Sequence, residues 1–96
     1  MNLYAIRRPS GWSNPQELEF TAAKSAKIGN DEMADQVRWI RSYVVQETDG
    51  KLGTICIYEA VGPGAIRDHA KRVGMPGDDI LPIVKSVVVR PDPPAL

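Results

Sequence analysis

The sequence predicts one α+β domain, a four-stranded antiparallel sheet with two helices on one face. Three observations carry this prediction. Strand-like segments alternate with helix-like ones in the order strand, helix, strand, strand, helix, strand. Each helix-like segment carries its own start and stop residues. Asp49-Gly50 joins the two central strands, and this dipeptide favours a tight hairpin because glycine tolerates positive φ.

The elements follow in order. Residues 3–8, "LYAIRR", form the first strand, stopped by Pro9, and "PSGWSN" is turn material. Asn14 caps the next segment, Pro15 suits the first helical position and Glu17 stands where a capping box wants an acid. Leu18, Ala22 and Ala26 share the face of this helix that should be buried, with Phe20 and Ala23 widening it, and Gly29 is its expected stop. Strands follow at 37–46 and 52–61. Pro63 opens a second helix and Gly74 closes it, with Ile66, Ala70 and Val73 on the buried stripe. A last strand is expected at 80–90. This order is the ferredoxin-like βαββαβ arrangement. The domain should cover residues 1–90, and the Pro-rich tail at 91–96 cannot join a sheet.

Composition removes several classes of function. Twelve basic and twelve acidic residues cancel. A nucleic-acid or membrane surface wants a basic excess, so neither partner is expected. No stretch is long and apolar enough to span a bilayer. The N-terminus lacks a charged-then-apolar signal pattern. A single cysteine without a CxxC motif indicates a reduced, cytoplasmic protein. One histidine limits imidazole-based metal sites and triads.

Helices on one side leave the other side of the sheet uncovered. A two-residue turn at Asp49-Gly50 pairs Val45 with Thr54, Tyr43 with Cys56, Arg41 with Tyr58 and Trp39 with Ala60. These eight then share the open face, because strand side chains alternate in direction. Ile40, Ser42, Val44, Ile55, Ile57 and Glu59 fall under the helices. A three-residue bulged turn would slip the pairing and regroup the strands. The open face, as read, is amphipathic and aromatic, which suits a ligand pocket or an interface. Two such faces placed together make a homodimer, a dimeric α+β barrel.

The segments "RSYVV" (41–45), "CIYEA" (56–60) and "AIRDHAKRVGMP" (65–76), with Ile80, carry a further signal. On them the chain resembles a family of small bacterial ferredoxin-like proteins of largely unknown function, some described as nickel-binding. The resemblance spans roughly residues 2–90. It implies a dimeric α+β fold and binding of a transition metal such as nickel. Such sites draw on imidazoles, thiolates and carboxylates, and one chain supplies one imidazole and one thiol.

The candidate residues divide into three groups. Trp39, Arg41, Tyr43 and Tyr58 are the expected ligand-binding set, with a planar cationic fork beside aromatic rings and hydroxyls. The same four would also serve a dimer interface. His69 and Glu59 are the candidate acid/base pair of a cofactor-independent isomerase, cyclase or monooxygenase, since an imidazole titrates near neutrality. A helix histidine bonded to a loop, and a salt bridge from Glu59 to Arg67, are the plainer accounts. His69, Cys56 and Glu59 are the candidate metal ligands, although Cys56 in mid-strand also fits a small packing residue. Trp12 is either a lid or a ring packed on the domain. The leading expectation is therefore a homodimer that binds a small molecule or a nickel-like metal at the open sheet face.

Overall fold

The computed structural model describes residues 1–94, so Ala95 and Leu96 of the tail lie outside the described residues. Its elements are β1 (Asn2–Trp12), α1 (Pro15–Asp31), β2 (Val37–Gln46), β3 (Leu52–Ala60), α2 (Pro63–Val73) and β4 (Ile80–Pro82). The sheet runs β2-β3-β1-β4 and every neighbouring pair is antiparallel. The predicted order and architecture are those of the structure.

Local chemistry explains the helices. The Asn14 side chain accepts from the Glu17 backbone N–H at 2.9 Å, and the Glu17 carboxylate accepts from the Ser13 N–H at 2.7 Å. Two donors at the helix start are satisfied in this way. Helix α1 runs past Gly29 to Asp31, because Gly29 sits beside His69 rather than at a turn. Helix α2 ends on Gly74 at φ 89°, whose N–H donates to the Ala70 carbonyl at 2.8 Å. Only a residue at ease in the left-handed region closes a helix this way.

Three expectations need correction. Strand β1 continues through Pro9 to Trp12, with a register shift between Arg8 and Trp12 and Ser10 at φ 52°. The 9–14 segment therefore begins as strand, and Trp12 is buried on the domain rather than free as a lid. Strand β4 is short. It pairs Ile80 with Ile6, Leu81 with Ala5 and Pro82 with Tyr4, and the Ile83 N–H still reaches the Leu3 carbonyl at 2.9 Å. Beyond that point β1 has almost ended, so residues 84–90 find no ladder there.

The third correction decides the faces. The hairpin closes on Glu47 and Lys51, not on Thr48 and Lys51. The Glu47 N–H donates to the Lys51 carbonyl at 2.9 Å, and the Gly50 N–H donates to the Glu47 carbonyl at 3.1 Å. Gly50 takes φ 84° as the last residue of a three-residue loop, the bulged turn that competes with the two-residue one. Ser42 therefore faces Cys56, and Tyr43 faces Ile55. A second shift lies between Trp39 and Arg41, where Ile40 is the extra residue of a β-bulge.

Together the two shifts regroup the strands. Cys56, Tyr58 and Ala60 turn inward and join Tyr4, Ile6, Val37, Ile28, Met33, Ile66 and Val73 in the core. Trp39 follows Tyr58 to the helix side. Arg41 and Tyr43 keep the open face predicted for them, where they meet Ile55, Ile57 and Glu59 instead of Cys56 and Tyr58. The physical reason is burial. This register places the aromatic Tyr58 and the small Cys56 and Ala60 under the helices.

Candidate functional site

Ile28 of α1 packs into the core, while the part of the helix toward the β2 edge carries small residues, Ala22, Ser25, Ala26 and Gly29. Such a face cannot fill the space above the β2 edge of the sheet. A cleft of about 510 Å³ results, with Leu18, Ala22, Trp12, Trp39, Ile40 and Val44 as apolar walls. Arg8, Ser42, Thr54, Cys56 and Tyr58 bring polar atoms into it. A mostly apolar concavity of this size with a few convergent polar groups is the usual form of a small-molecule site.

Arg8 is the residue that sequence reasoning missed. It is only 1% exposed. Its Nε donates to the Pro76 carbonyl, and its Nη1 donates to Cys56 Sγ at 3.3 Å. The guanidinium carbon lies 5.9 Å from the centre of the Tyr58 ring. Its Nη2 is buried and has no partner among the described residues. The signal was present in the strand. Tyr4, Ile6 and Arg8 share one parity, so an arginine follows two inward residues. Arg7, on the other parity, pairs with Glu47.

Cys56 sits at the centre of this group. Ser42 Oγ donates to its sulfur at 3.0 Å, and the thiol lies 3.4 Å from Thr54 Oγ1. Tyr58 stacks on Trp39 with ring centres 6.3 Å apart and meets His69 edge-on at 5.6 Å. Its hydroxyl is 3.3 Å from Ser25 Oγ. Burial pushes the Tyr58 phenol above its ordinary pKa, against smaller opposing effects of Ser25 and Arg8.

His69 closes the far side, beside a small cavity of about 90 Å³ lined with Ser25, Gly29, Val37, Trp39 and Tyr58. The Ser25 carbonyl is an acceptor 3.0 Å from Nε2, so Nε2 carries the proton of the neutral ring. Nδ1 is buried without a partner among the described residues. Burial holds His69 below the ordinary imidazole pKa. The Ser25 carbonyl works against this, and Arg8 and Arg72 reinforce it.

The predicted residues thus separate into two places. Trp39, Tyr58, Cys56 and His69 lie on the helix side. Arg41, Tyr43 and Glu59 lie on the open face. There the Asp92 carboxylate of the tail accepts from Arg41 Nη1 at 2.9 Å and from the Tyr43 hydroxyl at 2.6 Å. Glu59 stands in register with Arg38, across the sheet from His69. The structure does not bring the proposed acid/base pair together, nor Glu59 to Cys56.

A divalent metal finds no ready donor set within one subunit. Among the described residues no three of His, Cys, Asp and Glu converge. The thiol of Cys56 already accepts from the permanently charged Arg8, and a fixed cation there opposes a second one. These residues do not fit a nickel ion bound by a single chain.

Comparison with known proteins places the chain. The family model described as "Nickel responsive protein SCO4226-like" matches residues 4–83. Among solved structures, the crystal structure of SCO4226 from Streptomyces coelicolor A3(2) superposes with a TM-score of 0.70 at 16% identity. The match covers 88% of this chain and 99% of that one. At that identity the likeness speaks for the fold. No curated protein matches the sequence.

Proposed function

Given that the chain belongs to the SCO4226-like family of nickel responsive proteins, we propose that it is a small-molecule-binding protein whose ligand occupies the cleft between α1 and the sheet. The observation that carries the reading is the cleft itself. It joins apolar walls to Arg8, a buried guanidinium with an unused donor. The open face, where the sequence led us to expect the ligand, holds Arg41 and Tyr43 already engaged by Asp92.

Both tryptophans of the chain line the cleft, so occupancy should be visible in their fluorescence. Titration with the neutral apolar probe N-phenyl-1-naphthylamine should give saturable binding with energy transfer from Trp12 and Trp39. Ala22→Phe places a ring in the cleft and should abolish it. Undiminished binding by Ala22→Phe would place the probe elsewhere and sink the reading.

The same proposal includes a homodimer formed through the open face and a cytoplasmic location. Exposed Ile55 and Leu81 on that face support the dimer. So do its mixed charges, which a two-fold partner complements. The buried free thiol of Cys56 suits a reducing compartment. No helix among the described residues is long and apolar enough to cross a membrane. Sedimentation equilibrium should return twice the chain mass, and Ile55→Glu with Leu81→Glu should halve it. A wild-type monomer at micromolar concentration removes the dimer. A metal reading remains as the second one, supported by the family description. In a dimer formed through the open face, His69 and Cys56 stay on the helix side of each copy, so shared donors would be carboxylates of that face such as Glu59. Calorimetry of wild type against Glu59→Gln tests it, and no nickel binding by wild type at micromolar concentration removes it.

A further inference from the structure

We infer that the ligand of the cleft is an aromatic monocarboxylate whose carboxylate pairs with Arg8; this rests on the cleft reading above. The argument starts from a charge without a counter-charge. Arginine stays protonated at any physiological pH, so burial cannot neutralise it. An ion removed from water is costly unless a partner of opposite sign and further hydrogen bonds compensate it.

Six other arginines show the contrast: Arg38, Arg67 and Arg90 are exposed to water, and the remaining three are paired. Arg7 pairs with Glu47, Arg41 with Asp92, and Arg72 with Glu32 and Asp68. All three are partly exposed. Arg8, the most buried of the four, has a carbonyl, a thiol and a ring face as neighbours, and no carboxylate within salt-bridge distance among the described residues. Glu19 lines the cleft from the exposed surface of α1 and makes no bond to Arg8.

Chemistry then selects the ligand. One unused guanidinium donor, in a cleft whose lining also includes Ser42 and Thr54, suits a single carboxylate better than a phosphate, which asks for more cationic partners. The rest of the cleft is apolar, and the indoles of Trp12 and Trp39 offer flat surface to a ring. A second acidic group would have to lie against these walls unpaired. The class is therefore a ring or fused ring carrying one acid.

Calorimetric titration of the full chain with 2-naphthoate and with its neutral isostere 2-naphthamide tests the inference. Wild type should bind the acid about ten- to a hundredfold more tightly than the amide, the range expected of a charge-assisted hydrogen bond. The acid should also displace N-phenyl-1-naphthylamine. Arg8→Met should bind acid and amide alike. Equal affinities in wild type overturn the inference, as does a preference that survives in Arg8→Met. In both cases amide binding leaves the cleft reading standing. If neither compound binds, the inference falls, and the N-phenyl-1-naphthylamine titration decides the cleft reading by itself. Should Arg8→Met not fold, the wild-type comparison and the displacement decide the matter alone.

Discussion

Tyr58→Ala should lower the free energy of unfolding by about 3–5 kcal/mol, whereas Tyr58→Phe should cost about 1 kcal/mol. The ring is 1% exposed and lies where β3, α1 and α2 meet. It touches Trp39, His69 and Arg8 at once. Alanine leaves a cavity that these neighbours cannot collapse into, because Trp39 is held by Ser42 and His69 by Ser25. It also removes the ring face under the Arg8 cation. Phenylalanine keeps the packing and loses only the hydroxyl contact to Ser25. A small domain holds a margin of about 5–15 kcal/mol, so the alanine variant stands near its limit. Urea unfolding followed by tryptophan fluorescence measures both. Equal, small effects would mean that Tyr58 is not the keystone of this core.

Stability should fall as pH drops below about 6.5, and His69 should account for the fall. The sign follows from its environment. Burial lowers the folded-state pKa of His69 beneath the ordinary imidazole value. Between the two pKa values the unfolded chain binds a proton that the folded chain refuses. Stability is therefore full above the unfolded value and declines as pH falls toward the folded one. The slope is at most about 1.4 kcal/mol per pH unit for one proton. The charges that face His69 are Arg8 and Arg72, which oppose its protonation, and Asp68, which favours it. His69→Gln keeps a donor for the Ser25 carbonyl and should flatten the profile just below about pH 6.5. An unchanged slope in His69→Gln would assign the titration to another group.

The legible parts of this fold are those governed by neighbours in sequence. Asn14, Pro15 and Glu17 announce α1 because capping is settled within four residues. Pro63 and Gly74 bracket α2 for the same reason. The Asp49-Gly50 turn shows where such reasoning stops. Glycine at positive φ serves the two-residue and the three-residue turn equally, and the two differ by one step in register. That step moves Cys56 and Tyr58 from the open face to the core and sends Glu59 the other way. Ile40 adds a second reversal, since nothing in "RWIRS" distinguishes a bulged isoleucine from a regular one. On β2, Arg41 and Tyr43 keep the open face expected of them, and Ser42 and Val44 keep the helix side.

The candidate site was harder to read than the fold because its parts come from separate elements. Arg8 shares the inward parity of Tyr4 and Ile6, but a charged residue at the end of a strand reads as a solvated end until Pro76 and Cys56 are seen around it. The cleft exists because the small residues of α1 face the β2 edge, a relation between helix and sheet that no local pattern encodes. His69 was visible as a residue of chemical interest, and its burial against Ser25 and Tyr58 emerged only with α1 in place.

By itself the sequence determined the order of elements, the helix boundaries to within about a turn and the antiparallel α+β class, because capping, turn chemistry and hydrophobic spacing act over a few residues. The tertiary structure alone decided the hairpin register, the bulge at Ile40, the length of β4 and the burial of Arg8. Each of these is a choice between local conformations of nearly equal energy. Which aromatic rings and which charge lie under the helices settles that choice.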